Sequence, residues 1–571
     1  MTNPRIARLE ADVERGRLSR RQVLEAGLKL GLATPVIVSL MSKAPQAVAA
    51  PQSGAQRFPS ANQDGGSGTF TAIIGSSADD VDPHSTYSTI GSMICFPSYE
   101  MLIQYKGGSV DEFDPMLATS WEVNAEQTQA TFKLAEGVTF HDGSVCDATA
   151  VKTSFTRLVK MALGPFEVFA RFVPDPDTQI VVVDATTVQF NFATAQPLFL
   201  AAMASSYGPM IVSPTAVEEN KTDDDPWAHE FFVYNAVGTG PYKLVQNDLN
   251  EGAKYEKFEE YHGGWDGNHF DSVIYRVVPE TSTRRQLIES GEADATAFNL
   301  TPEDVQALGS DANVQVVTYP TTRIQWVIMN APKLLTPAVR QGFSYAFPYD
   351  DANTGAYGGL LKRSGPIPDS IIGSDPDVFL YQTDLTKAKE LILSGGFSEG
   401  DTFDYYVASD DQVENTVAQL FQANVQSMGF NLEINSVDSA TIEGIVFGDS
   451  PADERPMFVG GWEWWPDYND SYNMLAPCFT IAAAGGGGNN GGYYENARVE
   501  EIIAEARDVT DTTRLVELMK EAQNILTEQD PPVIYLGQVT MYTVLGKAIQ
   551  GFVANPLYLE TYLPYLLSRT A

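Results

Sequence analysis

Ten residues, Gly461 to Asp470 (GWEWWPDYND), hold three carboxylates, three tryptophans and a tyrosine. Side chains of these types support three chemistries. Two acids set about 5–10 Å apart hydrolyse glycosides, with indole faces holding the sugar; Glu463, Asp467 and Asp470 are the candidates. Oxygens at Asp467, Asn469 and Ser471 begin like a calcium loop. That pattern breaks at Tyr472, where the turn glycine belongs, and at Cys478, where the bidentate glutamate belongs. The third chemistry is recognition without reaction: a buried acid and aromatic walls that hold a cationic group.

Signatures for catalysis are missing elsewhere. The chain has no G-x-S-x-G elbow and no G-x-x-x-x-G-K-[ST] phosphate loop. Gly238-Thr239-Gly240-Pro241 lacks the third glycine of a dinucleotide fingerprint, and Pro241 removes a backbone donor. His84, His141, His229, His262 and His269 are the only histidines; none lies in H-E-x-x-H, and no Cys/His set has zinc spacing. No catalytic residue, metal or cofactor is assigned.

The elements that must position these residues alternate. β-Branched runs recur at 69–74 (TFTAII), 179–183 (QIVVV), 187–192 (TVQFNF), 273–278 (VIYRVV) and 314–318 (VQVVT). Between them lie amphipathic helices. Asp147 caps a helix whose Val151, Phe155, Leu158 and Val159 share a face, and Leu515, Leu518, Met519 and Ala522 form a second stripe. Residues 457–464 read as a strand, which puts Trp462 and Trp464 on one face. The glycine-rich run 482–492 reads as a mobile surface loop, because glycine loses the most freedom on ordering. Alternation of this kind points to α/β domains.

At 571 residues the chain predicts two to four domains. Residues 1–49 read as a twin-arginine export signal: Arg20-Arg21, an uncharged run 30–41 and the small-x-small site Ala47-Val48-Ala49. Twelve apolar residues are too few to span a bilayer, which needs about 20. Residues 50–68 read as a flexible leader. Removing residues 1–49 leaves 28 bases against 70 acids, a net charge of −42, which excludes nucleic acid as a partner. Cys95, Cys146 and Cys478 allow one disulfide at most and read as small buried side chains.

Several segments, in order, resemble the extracytoplasmic solute-binding proteins of ABC importers, the peptide/nickel (oligopeptide/dipeptide-binding) family. Gly137-Val138-Thr139-Phe140-His141-Asp142-Gly143, followed by residues 147–157, is similar to the family's G-V-x-F-H-D-G … A-x-D-V-x-x-S-x-x-R, with Ala150 where the family has Asp. Pro115 to Trp121, Val81-Asp82-Pro83, Tyr99-Glu100-Met101-Leu102, Gly238 to Tyr242 and Asn330 to Ala346 match further family segments. The resemblance covers nearly all of the chain after residue 70.

It implies an α/β, two-lobed periplasmic-binding-protein-like fold (type II, large cluster) with a hinge and an extra insert domain. The implied division is lobe I at 69–103, 238–328 and 533–571, the insert at 104–237, and lobe II at 329–532. It implies an exported, monomeric receptor, not an enzyme, that delivers di- or oligopeptides to a membrane permease. The family's W-x-x-D-Y-N-E resembles Trp464 to Asp470, so Asp467 is the expected anchor for a peptide ammonium, with Trp464 and Trp462 as walls. Glu100 and Tyr535 are further expected ligand residues. An oligosaccharide or metal chelate on the same scaffold, and a secreted carbohydrate-active enzyme, are the alternatives.

Overall fold

Residues Thr69–Ile74 form a strand that is buried along nearly its whole length, as a continuous apolar run demands of a strand covered on both faces. This is a computed structural model; it describes residues 68–570 except 79, 297–299, 410, 486–487, 508 and 559–560. The expected export signal and most of the leader lie outside the described residues.

The strand at 69–74 pairs in parallel with Ser272–Val277 and with the short Ala295–Thr296. Antiparallel strands Gly252–Lys257 and Tyr242–Asp248 extend that side to its edge. These strands form the base of one lobe. The other lobe is built on Thr402–Ala408, Asn431–Val437 and Phe458–Trp464. Two long antiparallel strands, Val314–Met329 and Val533–Gly546, run through both and unite them in one sheet. Their ladder breaks between Pro320 and Ile324, where proline cannot donate and the register shifts. The lobes therefore meet at the weakest part of the ladder.

A second, four-stranded antiparallel sheet lies within residues 118–191. The helix Ala148–Met161 packs on it, with Phe155 meeting Phe190 at 5.2 Å between rings. Asp147 caps this helix as expected, accepting from the Thr149 and Ala150 N–H groups. Residues 140–143 form a turn: Gly143 has φ +83°, and its N–H reaches the Phe140 carbonyl. His141 is buried there and bonds the Gly240 carbonyl at 2.8 Å, which ties the two motifs together structurally. Burial holds its pKa down near 4, so the ring is neutral.

Asp82 and Arg157, from two further matching segments, meet as a bidentate pair at 2.6 and 2.7 Å, with both side chains fully buried. Arg157 also donates to the Trp227 carbonyl and lies 4.7 Å from the Phe232 ring centroid. Burial alone would raise the Asp82 carboxyl, but the Arg157 charge and its hydrogen bonds pull it well below the usual range. His84 completes the group: its Nε2 bonds the Met210 carbonyl and its Nδ1 faces Arg157. Burial and the Arg157 charge drop the His84 pKa to about 3. A neutral ring protonated on Nε2 satisfies both contacts.

The three cysteines are buried and form no disulfide among the described residues. Among the described residues no helix is long and apolar enough to cross a membrane.

The Asp82–Arg157 pair leads to a stability prediction. Arg157→Met strands a buried carboxylate and lowers unfolding free energy by about 3–5 kcal/mol in denaturant titrations. Adding Asp82→Asn recovers part of that loss, because no buried charge then remains. A single variant within about 0.5 kcal/mol of wild type would contradict this account.

Candidate functional site between the lobes

The strand Phe458–Trp464 carries the tryptophan-rich stretch to the seam between the lobes. Opposite it, Trp326 pairs with Trp462 and Ile328 with Val459, so this strand holds one residue more than its partner. The extra residue falls at Gly460-Gly461, a bulge. Gly461 has φ +70°, and a Cβ there would sit 2.8 Å from Glu414 Cγ. A Cβ on Gly460 would lie 2.0 Å from the Tyr405 hydroxyl. Only glycine fits either place.

Past the bulge the side chains alternate between two faces. Trp462 and Trp464 turn toward the helix Ser471–Phe479 and the segment after it. Trp464 Nε1 donates to the Asn473 carbonyl at 2.9 Å, and Trp462 Nε1 to Asn489 Oδ1 at 2.7 Å. Asn489 and Asn490 are buried, so this end of the glycine-rich run is not the mobile surface loop that its composition suggests. Their side chains supply the hydrogen bonds that glycine lacks, to Cys478 Sγ and to the Thr480 and Tyr494 carbonyls.

Glu463 and Trp465 face the other way. Glu463 pairs with Arg323 at 3.2 Å, and the Arg323 guanidinium lies 4.7 Å from the Trp465 ring centroid. Burial pushes the Glu463 carboxyl up; Arg323 opposes the rise.

Asp467 follows Pro466 in the turn before the helix Ser471–Phe479. Only 6% of its surface is exposed. Tyr87 of the first lobe donates to Oδ1 at 2.7 Å, across 380 residues of chain. Asn473 donates to Oδ2 at 3.1 Å and accepts from the Asp467 N–H, which fixes the carboxylate from its own helix. These donors are neutral. Burial raises the Asp467 pKa to about 6, and the two hydrogen bonds recover only part of the lost hydration. Tyr87 is 42% exposed and its ring lies 4.9 Å from that of Tyr207. The pair forms an aromatic floor beside the acid.

Asp470, three residues on, has a different environment. It caps the helix through the Tyr472 N–H and forms a 2.8 Å ion pair with Arg171, 299 residues earlier in the chain. Arg171 also donates to the Tyr468 hydroxyl and the Arg507 carbonyl. Asn469 donates to the Val110 carbonyl, and Phe172 meets Tyr468 at 6.0 Å between rings. The stretch is therefore clamped on both sides of Asp467, and Asp467 alone is left without a cation.

Glu100 and Tyr535 lie away from this group. Glu100 is buried and held by His262 at 2.9 Å and by the Tyr261 hydroxyl at 3.1 Å. Burial opposes the His262 imidazolium, but Glu100 more than offsets it and the His262 pKa rises. The pair forms the base of a cavity of about 270 Å³ on another face, walled by Phe96, Met116 and Tyr565. Tyr535 is buried between Trp326 and Phe479 in the core of the second lobe. Tyr87 and Asn473 bond Asp467, and Tyr207 packs on Tyr87, without any sequence motif to mark them; Arg323 stands with Glu463 and Trp465 instead.

Two acids in the stretch do not make a hydrolytic pair, since Asp470 is committed to Arg171 and to its helix. Among the described residues no group of three or more His, Cys, Asp or Glu could hold a metal ion. What the geometry offers is a buried carboxylate held by neutral donors, with aromatic neighbours. That arrangement suits a ligand bearing an ammonium group.

Comparison with known proteins agrees with a two-lobed receptor. The probable D,D-dipeptide-binding periplasmic protein DdpA of Escherichia coli strain K12 is 29% identical over 499 residues, covering 86% of this chain and 92% of that protein. The glutathione-binding protein GsiB of Pectobacterium atrosepticum is 26% identical, covering 85% and 91%. Among solved structures, the periplasmic binding protein DppA from Helicobacter pylori in complex with the peptide STSA superposes with a TM-score of 0.74 at 22% identity, covering 88% and 98%. Residues 112–486 match the family model described as bacterial extracellular solute-binding proteins, family 5 middle. The chain belongs to the bacterial extracellular solute-binding proteins of family 5.

Proposed function

We propose that this protein is the exported substrate-capturing component of an ABC importer. It binds peptides with a free N-terminal amine between its lobes and hands them to a membrane permease. The Asp467 carboxylate is the observation that carries this reading: it is buried at the seam and held only by the neutral groups Tyr87 and Asn473. An ammonium placed there restores the missing charge through short, charge-assisted hydrogen bonds. The peptide backbone supplies the rest of the recognition against strand edges, a mode that tolerates many side chains.

Further observations support the reading. Relatives include proteins named for dipeptide and glutathione binding. Arg20-Arg21 with the apolar run after it supports export. The absence of nucleophile and phosphate-loop motifs from the sequence supports a receptor and not an enzyme. Closure of two lobes around a ligand is the usual working motion of such a scaffold. On this reading Tyr87 links the lobes to the anchoring acid, so ligand capture and lobe contact share one group.

Asp467→Asn tests the anchor. Calorimetry with free-amine peptides should show roughly 10- to 100-fold weaker binding, the value of a hydrogen bond to a charged group. N-acetylated peptides should bind wild type poorly and lose nothing further in the variant. Equal wild-type affinity for acetylated and free peptides would sink the assignment.

The variant should also melt no lower than wild type when empty. The folded Asp467 pKa of about 6 lies above the ordinary 3.8. The folded state therefore binds this proton more tightly than the unfolded chain, and the ionised side chain destabilises the empty protein at neutral pH. Asn removes that cost while keeping an amide oxygen for Asn473.

Affinity should depend on pH in a defined direction. Below about pH 6 the empty site holds a proton that an ammonium must displace. Binding of free-amine peptides should weaken by up to about tenfold per pH unit below that value. Above it the affinity should level off. A titration in which affinity is flat from pH 7 to pH 5 would contradict this.

A further inference from the structure

A second buried acid stands in the same seam. Glu414 is the third residue of the helix Gln412–Ser427, and only 2% of its surface is exposed. At this position a glutamate ordinarily reaches back to the cap residue's N–H. Here that N–H belongs to Asp411 and is taken by the Ala408 carbonyl, while Asp411 caps the helix by accepting from the Glu414 N–H. The Glu414 carboxylate is thus released from its local task.

It points instead to the sheet face that carries Gln325 and Glu463. Gln325 Nε2 donates to Glu414 Oε1 at 3.3 Å, and the Tyr357 hydroxyl donates to the same oxygen. Among the described residues Oε2 is buried with no hydrogen-bond partner, while the Gly461 N–H lies close enough to the carboxylate to favour its charged form. Gly461 at the bulge leaves room for the side chain; any Cβ there would strike Glu414 Cγ at 2.8 Å. Gln325 and Glu463 are direct partners across the two strands, and Glu463 is 30% exposed. The face continues through Arg323 to Trp465.

The charged and titratable groups around Glu414 are Asp411 on its own helix, Glu463 and Arg323 from the two strands, Tyr357, and Tyr405 from the strand beneath. Three acids face one base, and that base is bound to Glu463.

We propose that Glu414, with Asp411 and Glu463 beside it, is a subsite for the cationic side chain of the ligand, a lysine-type ammonium or an arginine-type guanidinium. The subsite rests on the peptide-receptor reading and adds to it a preference. Asp467 holds the terminal amine, and the acidic face beyond Arg323 and Trp465 receives a second positive charge. Burial and the Asp411 charge hold the Glu414 pKa up near 8, so the empty subsite keeps a proton at neutral pH. A bound cation displaces it.

The experiment compares paired peptides of two to four residues in which lysine is replaced at one position by norleucine, its uncharged analogue. In at least one pair, wild type should bind the lysine member roughly 10- to 100-fold more tightly. Glu414→Gln should abolish that preference. Should the variant fold poorly, the wild type decides alone. Calorimetry at pH 7 in buffers of different ionisation enthalpy should then show proton release on binding the lysine peptide and none with norleucine. Norleucine bound as tightly as lysine in every pair overturns the subsite while leaving the receptor reading intact. A lysine preference that survives in folded Glu414→Gln also overturns it. If no free-amine peptide binds at all, the receptor reading fails and the subsite with it.

Discussion

A carboxylate taken out of water costs several kcal/mol unless a cation or a set of donors replaces its hydration. That cost organises this molecule. Asp82 is fully buried and meets Arg157, which joins the segment after the first strand to a helix 75 residues later. Glu100 meets His262, Arg340 meets Asp530, and Asp470 meets Arg171. Each pair binds segments that are distant in the chain, and each neutralises a charge that the surrounding core cannot solvate. Against that pattern, Asp467 and Glu414 stand apart, since they are just as buried but bonded to neutral groups. Burial raises the Asp467 and Glu414 values, whereas at Asp82 the Arg157 charge and hydrogen bonds overcome the same burial and the value falls.

Such uncompensated groups persist only where the surrounding structure holds them in place. Here the holding is specific. The Gly460-Gly461 bulge swings the strand end so that Trp462 and Trp464 lock onto the helix and its following segment. Asn473 grips Asp467 from that helix, and Arg171 clamps the next turn through Asp470. The site is rigid on the second lobe, while Tyr87 reaches it from the first. The two long strands connect the lobes at a break in their ladder. On the proposed reading, an acid that lacks a cation is where approach of the lobes would enclose one.

Much of the fold is legible along the chain. The strand at 69–74, the helix capped by Asp147 and the turn at 140–143 all follow from local rules: β-branching, side-chain capping and a glycine at positive φ. Those rules need only neighbours within a few residues. The run 314–318 marks only the first part of a strand that continues to Met329. Pro320 reads locally as a stop, and pairing with residues 533–546 carries the strand past it. The end of the glycine-rich run also misleads, because Asn489 accepts from the Trp462 indole and Asn490 donates to the Thr480 and Tyr494 carbonyls, partners that composition does not reveal.

Residue type and order by themselves determined that the chain builds α/β lobes with large cores, that it carries no nucleophile or phosphate-loop motif, and that GWEWWPDYND bears its key acids. Only the tertiary structure decided which of those acids is neutralised. Asp467 and Asp470 are three residues apart and chemically alike, yet one faces Tyr87 and the other Arg171, on segments some 300 to 380 residues away. It likewise set Glu100 against His262 and placed Tyr535 in the core, away from Asp467. The reason is range. Periodicity, caps and turns act over a few residues, whereas the charge state of a buried acid depends on whichever groups the fold brings within about 4 Å of it.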